Sequence, residues 1–265
     1  MNTETHQEEP YVLRNDSQGI ATLTLNRPNQ FNSLSTAMIA ALHTELDAIA
    51  VDSATRVVVI AGAGKAFCAG HDLKEMRANP DKAFMQTLFR QCGKMMMTIT
   101  EMPQPVIARV HGIATAAGCQ LVSMCDLAVA ADVARFATSG INVGLFCSTP
   151  GVGLSRNLGR KLALEMLLTG DFIDAPTALQ QGLVNRVVPV DALDAEVDKF
   201  AQSIIAKSSL AIGMGKQMFY KQLEMGLDAA YQYASEVMAC NMMSEDAAEG
   251  IDAFVGKRKA QWKGR

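Results

Sequence analysis

No Cys-x-x-Cys pair occurs among the six cysteines, Cys68, Cys92, Cys119, Cys125, Cys147 and Cys240, and no histidine cluster accompanies them. That spacing argues against structural zinc and predicts scattered buried thiols in a reducing compartment. Positive charge is also scarce. With a formal net charge of −3, the composition argues against a nucleic-acid partner, which would usually show a basic face, and a single local basic patch stands at the C-terminus. The first ten residues, MNTETHQEEP, have neither a basic start nor an apolar run. They read as a flexible segment without a secretory signal or an Arg-rich transit peptide, which places the protein in the cytoplasm. No linker rich in Pro or Ser, no internal repeat and no low-complexity stretch divides the sequence. Long uninterrupted apolar runs are missing too. The stretch GIATAAGCQLVSMCDLAVAA matches a membrane span in length, but it carries Gln120 and Asp126. It reads as a buried helix followed by a buried strand, and no membrane partner is expected.

Apolar residues make up 49 % of the 265 residues and charged ones 19 %, enough for a large core. Tyr11–Asp16 and Gly19–Leu25 read as strands around a turn at Ser17-Gln18-Gly19. Ser35 caps a helix whose apolar face is Met38, Leu42, Leu46 and Ile49. Arg56–Ala61 is a β-branched run typical of a strand buried on both faces. It enters the glycine-punctuated loop GAGKAFCAGHDL. A Met-rich helix over Asp81–Glu101, a strand over Val106–His111 and a small-residue turn over Gly112–Gly118 follow. After them come a helix over Ala117–Met124 and a strand over Leu127–Ala131. Strand, glycine-rich turn and helix thus repeat, which predicts an α/β fold with its site at strand ends. From Asp191 onward the pattern is helical, over Asp191–Ala206, Leu210–Glu224, Leu227–Met243 and Ser244–Lys259.

The loop after the Arg56–Ala61 strand invites a phosphate-binding reading, and its spacing refuses it. A P-loop needs Ser or Thr after its Lys, and Lys65 is followed by Ala66. A dinucleotide fingerprint needs a third Gly where Phe67 stands. The same stretch, KAFCAGHDL followed by KEM, resembles the first signature of the crotonase (enoyl-CoA hydratase/isomerase) superfamily. LNRPNQFNSLS, PVIARVHGIATAAGC, MCDLAVAA, LTGDFIDAPTALQQGLVNRVVP and IDAFVGKRKAQW agree with that superfamily in order and spacing. The resemblance covers nearly the whole chain.

The resemblance implies an α/β fold, a crotonase-like spiral of ββα turns. Residues 11–200 would form the core and 201–265 a helical region for assembly into a homo-trimer or hexamer. It implies an acyl-CoA thioester as ligand, with coenzyme A part of the substrate and no separate cofactor. The thioester oxygen would lie between the backbone N–H groups of His71 and Ala117. Ala69 would offer a carbonyl to adenine, and Lys65 and Lys74 would flank the nucleotide. Phe254 and Lys257, on the last helix, would reach the coenzyme A of a neighbouring copy.

The pattern breaks at both catalytic carboxylates. Hydratases of the superfamily carry Glu three residues after the second N–H donor, where this chain has Gln120. They carry a second Glu where it has Gly140. Neither replacement transfers protons at neutral pH. Asp72, Glu75, Cys119, Ser139 and Cys147 lie near the site motifs and are the remaining candidates for proton transfer. Asp72 is expected to cap a helix, and the two cysteines are expected to pack. The pairing of GIATAAGCQL with GLFCSTPGV resembles a distinct branch of the superfamily. An enzyme of lyase or isomerase class with weak hydration, or a non-catalytic acyl-CoA binder, both remain open. Gln120→Glu with Gly140→Glu tests the scaffold: a gain in hydration would show that it still presents the water and the thioester correctly, and no gain would put the pocket geometry in question.

Overall fold

A computed structural model describes residues 9–265. Most of the expected flexible segment, residues 1–8, lies outside the described residues. The elements run β1 (Val12–Ser17), β2 (Ile20–Leu25), α1 (Thr36–Ala50), β3 (Val57–Gly62), β4 (Ala66–Cys68), α2 (Leu73–Ala78), α3 (Lys82–Glu101), β5 (Val106–Val110), β6 (Ile113–Thr115) and α4 (Ala117–Met124). They continue with β7 (Leu127–Ala131), β8 (Arg135–Ala137), α5 (Ser148–Asn157), α6 (Arg160–Thr169), β9 (Ile173–Asp174), α7 (Ala175–Gln180) and β10 (Arg186–Val188). Four helices close the chain: α8 (Leu193–Ile205), α9 (Ser209–Leu223), α10 (Leu227–Met242) and α11 (Glu245–Val255).

Two sheets alternate along the sequence. One has the order β1-β2-β3-β5-β7-β10 and the other β4-β6-β8-β9. The β1–β2 hairpin is antiparallel, and β2, β3, β5, β7 and β10 pair in parallel. Each turn of the spiral therefore gives one strand to the large sheet, one to the small sheet, and then helix. The β-branched run of β3 explains its place in the middle: Val58 and Ile60 face the main core, Val57 and Val59 a second one. That second core is closed by Leu193, Val197 and Ala201 of α8 against Val57, Val59, Ile107, Val129 and Ala131. A boundary at residue 200 thus cuts a helix that belongs to the sheet.

The expected helix starts agree with local caps. Ser35 accepts from the Met38 amide, Asp81 from Phe84 and Ser244 from Ala247. Two expectations change. The glycine-punctuated loop and the Gly112–Gly118 turn each contain a three-residue strand, β4 and β6, paired in parallel. The last helix stops at Val255 instead of Lys259, so Lys257 lies beyond it at φ 52°.

A buried polar knot fixes α9 to the core. The Lys216 ammonium sits 2.7 Å from an Asp126 carboxylate oxygen and donates to the carbonyls of Ile99 and Gln104. Tyr220 Oη and the Val106 amide also donate to Asp126. Every partner is met, the condition under which a buried ion pair is tolerated. Among the described residues no helix is long and apolar enough to cross a membrane.

Candidate functional site

The first site loop leaves β4 as Ala69-Gly70-His71. The Asn32 side chain, from the stretch LNRPNQFNSLS, pins its base. Asn32 Nδ2 donates to the carbonyls of Ala63 and Ala66 at 2.8 Å and Phe67 at 3.2 Å, while Oδ1 accepts the Arg27 amide. Asn32 is fully buried, and sequence reasoning did not single it out. The loop continues past Leu34, which bridges in parallel to His71. The bridge uses the Gly70 carbonyl and the Asp72 amide. The His71 N–H therefore faces the other way, with no acceptor among the described residues. Its imidazole turns to Leu34, with Nδ1 3.2 Å from that carbonyl and the ring edge-on to Phe89. Burial lowers the imidazole pKa, against the Leu34 carbonyl and the Glu75 charge, which raise it. The ring is neutral, and its donation to a carbonyl places the proton on Nδ1.

The second loop leaves β6 and enters α4. Ala116, at the junction, has φ 50° and ψ −121°, a region that side chains rarely occupy. Its N–H donates to Ala137 and its carbonyl accepts from Gln120, both at 3.0 Å. The Ala117 N–H is the first of the helix and has no cap or other acceptor among the described residues, as helix geometry dictates. Close packing needs the small residues here. A methyl on Gly118 would meet the Cys68 carbonyl oxygen at 2.1 Å.

The two loops lie side by side. Gly70, at φ +94°, has room for no side chain: a methyl there would stand 3.2 Å from the Ala117 nitrogen. His71 and Ala117 are thus brought together, each with its N–H unspent.

Gln120 is one turn further along α4, 4 % exposed, with Oε1 unpaired. Gly140 lies in a short 3-10 turn, Ser139–Val143. Its side-chain direction is already filled, since a methyl there would stand 2.7 Å from the Leu145 carbonyl oxygen and 2.8 Å from Cys147 Sγ. A glutamate at Gly140 therefore has no free space to enter, whereas one at Gln120 replaces a side chain of the same length.

The other candidates for proton transfer are occupied or silenced. Asp72 caps α2 through the Lys74 and Glu75 amides, and Glu75 Oε2 accepts the Thr36 amide. Burial pushes the Cys119 thiol up to about 12 and raises that of Cys147. Ser139 bonds to Thr115. Lys65 and Lys74 flank the first loop, exposed. Phe254 is 86 % exposed at the end of α11, so its own chain gives it no cover. A recess of about 270 Å³ near Asp52, Arg56 and Ser209 shares no residue with the two loops.

A family model described as enoyl-CoA hydratase/isomerase matches residues 15–265. The chain belongs to that family. The chain is 45 % identical over 263 residues to the enoyl-CoA hydratase domain-containing protein 3, mitochondrial, of Xenopus laevis, covering 99 % of this chain and 90 % of the relative. Among solved structures, an enoyl-CoA hydratase of Mycobacterium smegmatis superposes with a TM-score of 0.94 at 58 % identity, covering 96 % of this chain and 99 % of that one. Human enoyl Coenzyme A hydratase domain-containing protein 3 superposes at 0.93 with 44 % identity over 95 % of this chain and 100 % of its own. The fold is the crotonase-type α/β fold of these hydratases, and the branch resemblance of GIATAAGCQL and GLFCSTPGV agrees with the relatives found. The Xenopus relative is named mitochondrial, so a cytoplasmic location finds no support there.

Proposed function

We propose that this family member binds an acyl-CoA thioester and polarises its carbonyl oxygen between the N–H groups of His71 and Ala117. The observation that carries this reading is the pair of unspent donors, held together by a glycine that tolerates no side chain. Fixed donors in an enclosed site stabilise developing negative charge, and each is worth roughly 3 kcal/mol. Ala69, Lys65 and Lys74 hold the nucleotide end. Phe254 and Lys257 complete it from a second copy, in a trimer or a dimer of trimers.

Hydration itself is weak. Gln120 exchanges no proton, Gly140 carries no group, and the nearby carboxylates are committed to amides. The activity is therefore of lyase or isomerase class on an acyl- or enoyl-CoA, through the polarised carbonyl. A second reading, a binder without turnover, is favoured by the spent state of Asp72 and Glu75. The deciding experiment pairs calorimetric titration of acetoacetyl-CoA with the structure of the complex. A carbonyl oxygen within hydrogen-bond distance of both amides supports the reading, and one that points elsewhere removes it.

A further inference from the structure

Ala116 is the strained joint on which the Ala117 N–H depends. A residue in such a region costs of order 1–3 kcal/mol and persists only when its surroundings over-determine it. Two anchors are main-chain: the Ala116 N–H on Ala137 and its carbonyl on Gln120. A third is made of side chains. Thr115 Oγ1 and Ser139 Oγ lie 2.7 Å apart. Thr115 immediately precedes the joint at the end of β6, and Ser139 follows the end of β8, two strands already in register with Thr115 opposite Ala137. Thr115 is 8 % exposed, so the bond is shielded from competing water on that side. Thr115 is thereby tied through both its strand partner and its hydroxyl, and the chain must turn sharply at the next residue.

We infer that Thr115 and Ser139 are positioning residues: their hydroxyl pair is a clasp that holds the strained joint and aims the Ala117 N–H. The clasp touches no substrate. It also joins the segment leading to Ala117 to the segment leading to Gly140, so the two walls of the site move as one. Without it, the joint has freedom to relax, and the N–H swings off the line to the thioester oxygen while the fold remains.

The inference rests on the thioester reading above, and its test separates the two. The readout is the infrared stretch of a 13C-labelled thioester carbonyl in bound butyryl-CoA, which reports polarisation directly. In the wild-type protein the band is displaced to lower frequency than in free butyryl-CoA. Ser139→Ala and Thr115→Val are expected to lose most of that displacement while their affinity for coenzyme A itself is unchanged. Thr115→Ser, which keeps a hydroxyl, restores it. A merely structural bond would lower the melting temperature and leave the band in place. If Thr115→Val does not fold, Ser139→Ala and Thr115→Ser still carry the comparison. Equal displacement in wild type and Ser139→Ala overturns the clasp alone. No displacement in the wild-type protein overturns the thioester reading and the clasp with it.

Discussion

A methyl group on Gly70 would stand 2.8 Å from the Cβ of Ala116. The two loops of the site therefore meet at van der Waals contact with nothing to spare. Gly70→Ala is expected to push them apart and, because Gly70 also sits at φ +94°, to strain the loop that carries His71. Acyl-CoA affinity should fall by about threefold to tenfold, in line with the loss of one neutral hydrogen bond worth about 0.5–1.5 kcal/mol. Titration calorimetry on the folded variant checks this, and unchanged affinity would remove Gly70 from the argument.

Ala116→Gly works in the opposite direction. Glycine enters the φ 50°, ψ −121° region without a steric cost. Relief of about 1–3 kcal/mol of strain is offset by about 1 kcal/mol of lost glycine freedom. A net gain of about 1 kcal/mol in urea unfolding is expected, with ligand binding preserved.

Hydration of crotonyl-CoA should run at least about 10²-fold below an ordinary family hydratase, since a positioned acid or base is typically worth about 10²- to 10⁴-fold. Loss of the conjugated thioester absorbance measures it. Gln120→Glu alone is the informative restoration, because its site is buried and its Oε1 is unpaired. Gly140→Glu collides with the Leu145 carbonyl and Cys147 Sγ and is expected to lower stability instead of raising turnover. Turnover near that of an ordinary hydratase in the wild-type protein would mean that another acid serves the pocket.

The His71 imidazole gives a pH signature. Its pKa is lowered from 6.5, chiefly by burial. The unfolded chain therefore takes up this proton first as pH falls. The contribution to stability is fully present above about pH 6.5 and declines below it as the protonated unfolded state gains. Nitrogen-15 NMR of the imidazole should show one proton, on Nδ1, through neutral pH and below the ordinary histidine range. A titration at the ordinary value would contradict the buried, bonded ring.

Removing the Lys216 ammonium, as in Lys216→Met, leaves Asp126 buried without its ion-pair partner, and two carbonyls lose their donor. Breaking a buried pair on one side costs about 3–5 kcal/mol. Chemical denaturation should show a loss of that order. Asp126→Asn with Lys216→Met should recover part of it.

Assembly supplies the remaining prediction. Phe219, Leu223, Leu227, Tyr231, Met238 and Phe254 are all at least half exposed, an apolar surface that an isolated monomer rarely tolerates. Light scattering at micromolar concentration should return three copies or six. Lys257→Ala should lower coenzyme A affinity without altering that mass, and a monomer would remove the neighbouring-copy part of the site.

What could be read ahead of the structure was what local chemistry fixes. Ser35, Asp81 and Ser244 announce their helices because a cap acts within one turn. Val57–Ile60 announce a doubly buried strand by composition. The strands β4 and β6 could not be read, because three residues carry no period and their partners lie far away in sequence. The site was legible through the family resemblance of KAFCAGHDL and GIATAAGCQL, with the small residues Ala116-Ala117-Gly118 marking close approach. Asn32 and the Thr115–Ser139 bond are tertiary facts that join segments no spacing rule relates, and the filling of Gly140 by Leu145 and Cys147 depends on how one short loop folds back on itself.

The late arrival of α8 bears on how the chain is made. Val57, Val59, Ile107, Val129 and Ala131 find most of their cover in α8, through Leu193, Val197 and Ala201 with Phe200, Ile204 and Ile205 at its edge. At elongation rates of about 5–20 residues per second, strands β3, β5 and β7 leave the ribosome seconds before their second face can be closed. During that interval the nascent chain presents a stripe of valines, isoleucine and alanine to the cell. A chain cut before Leu193 would lack that cover and is expected to aggregate, however sound its site loops.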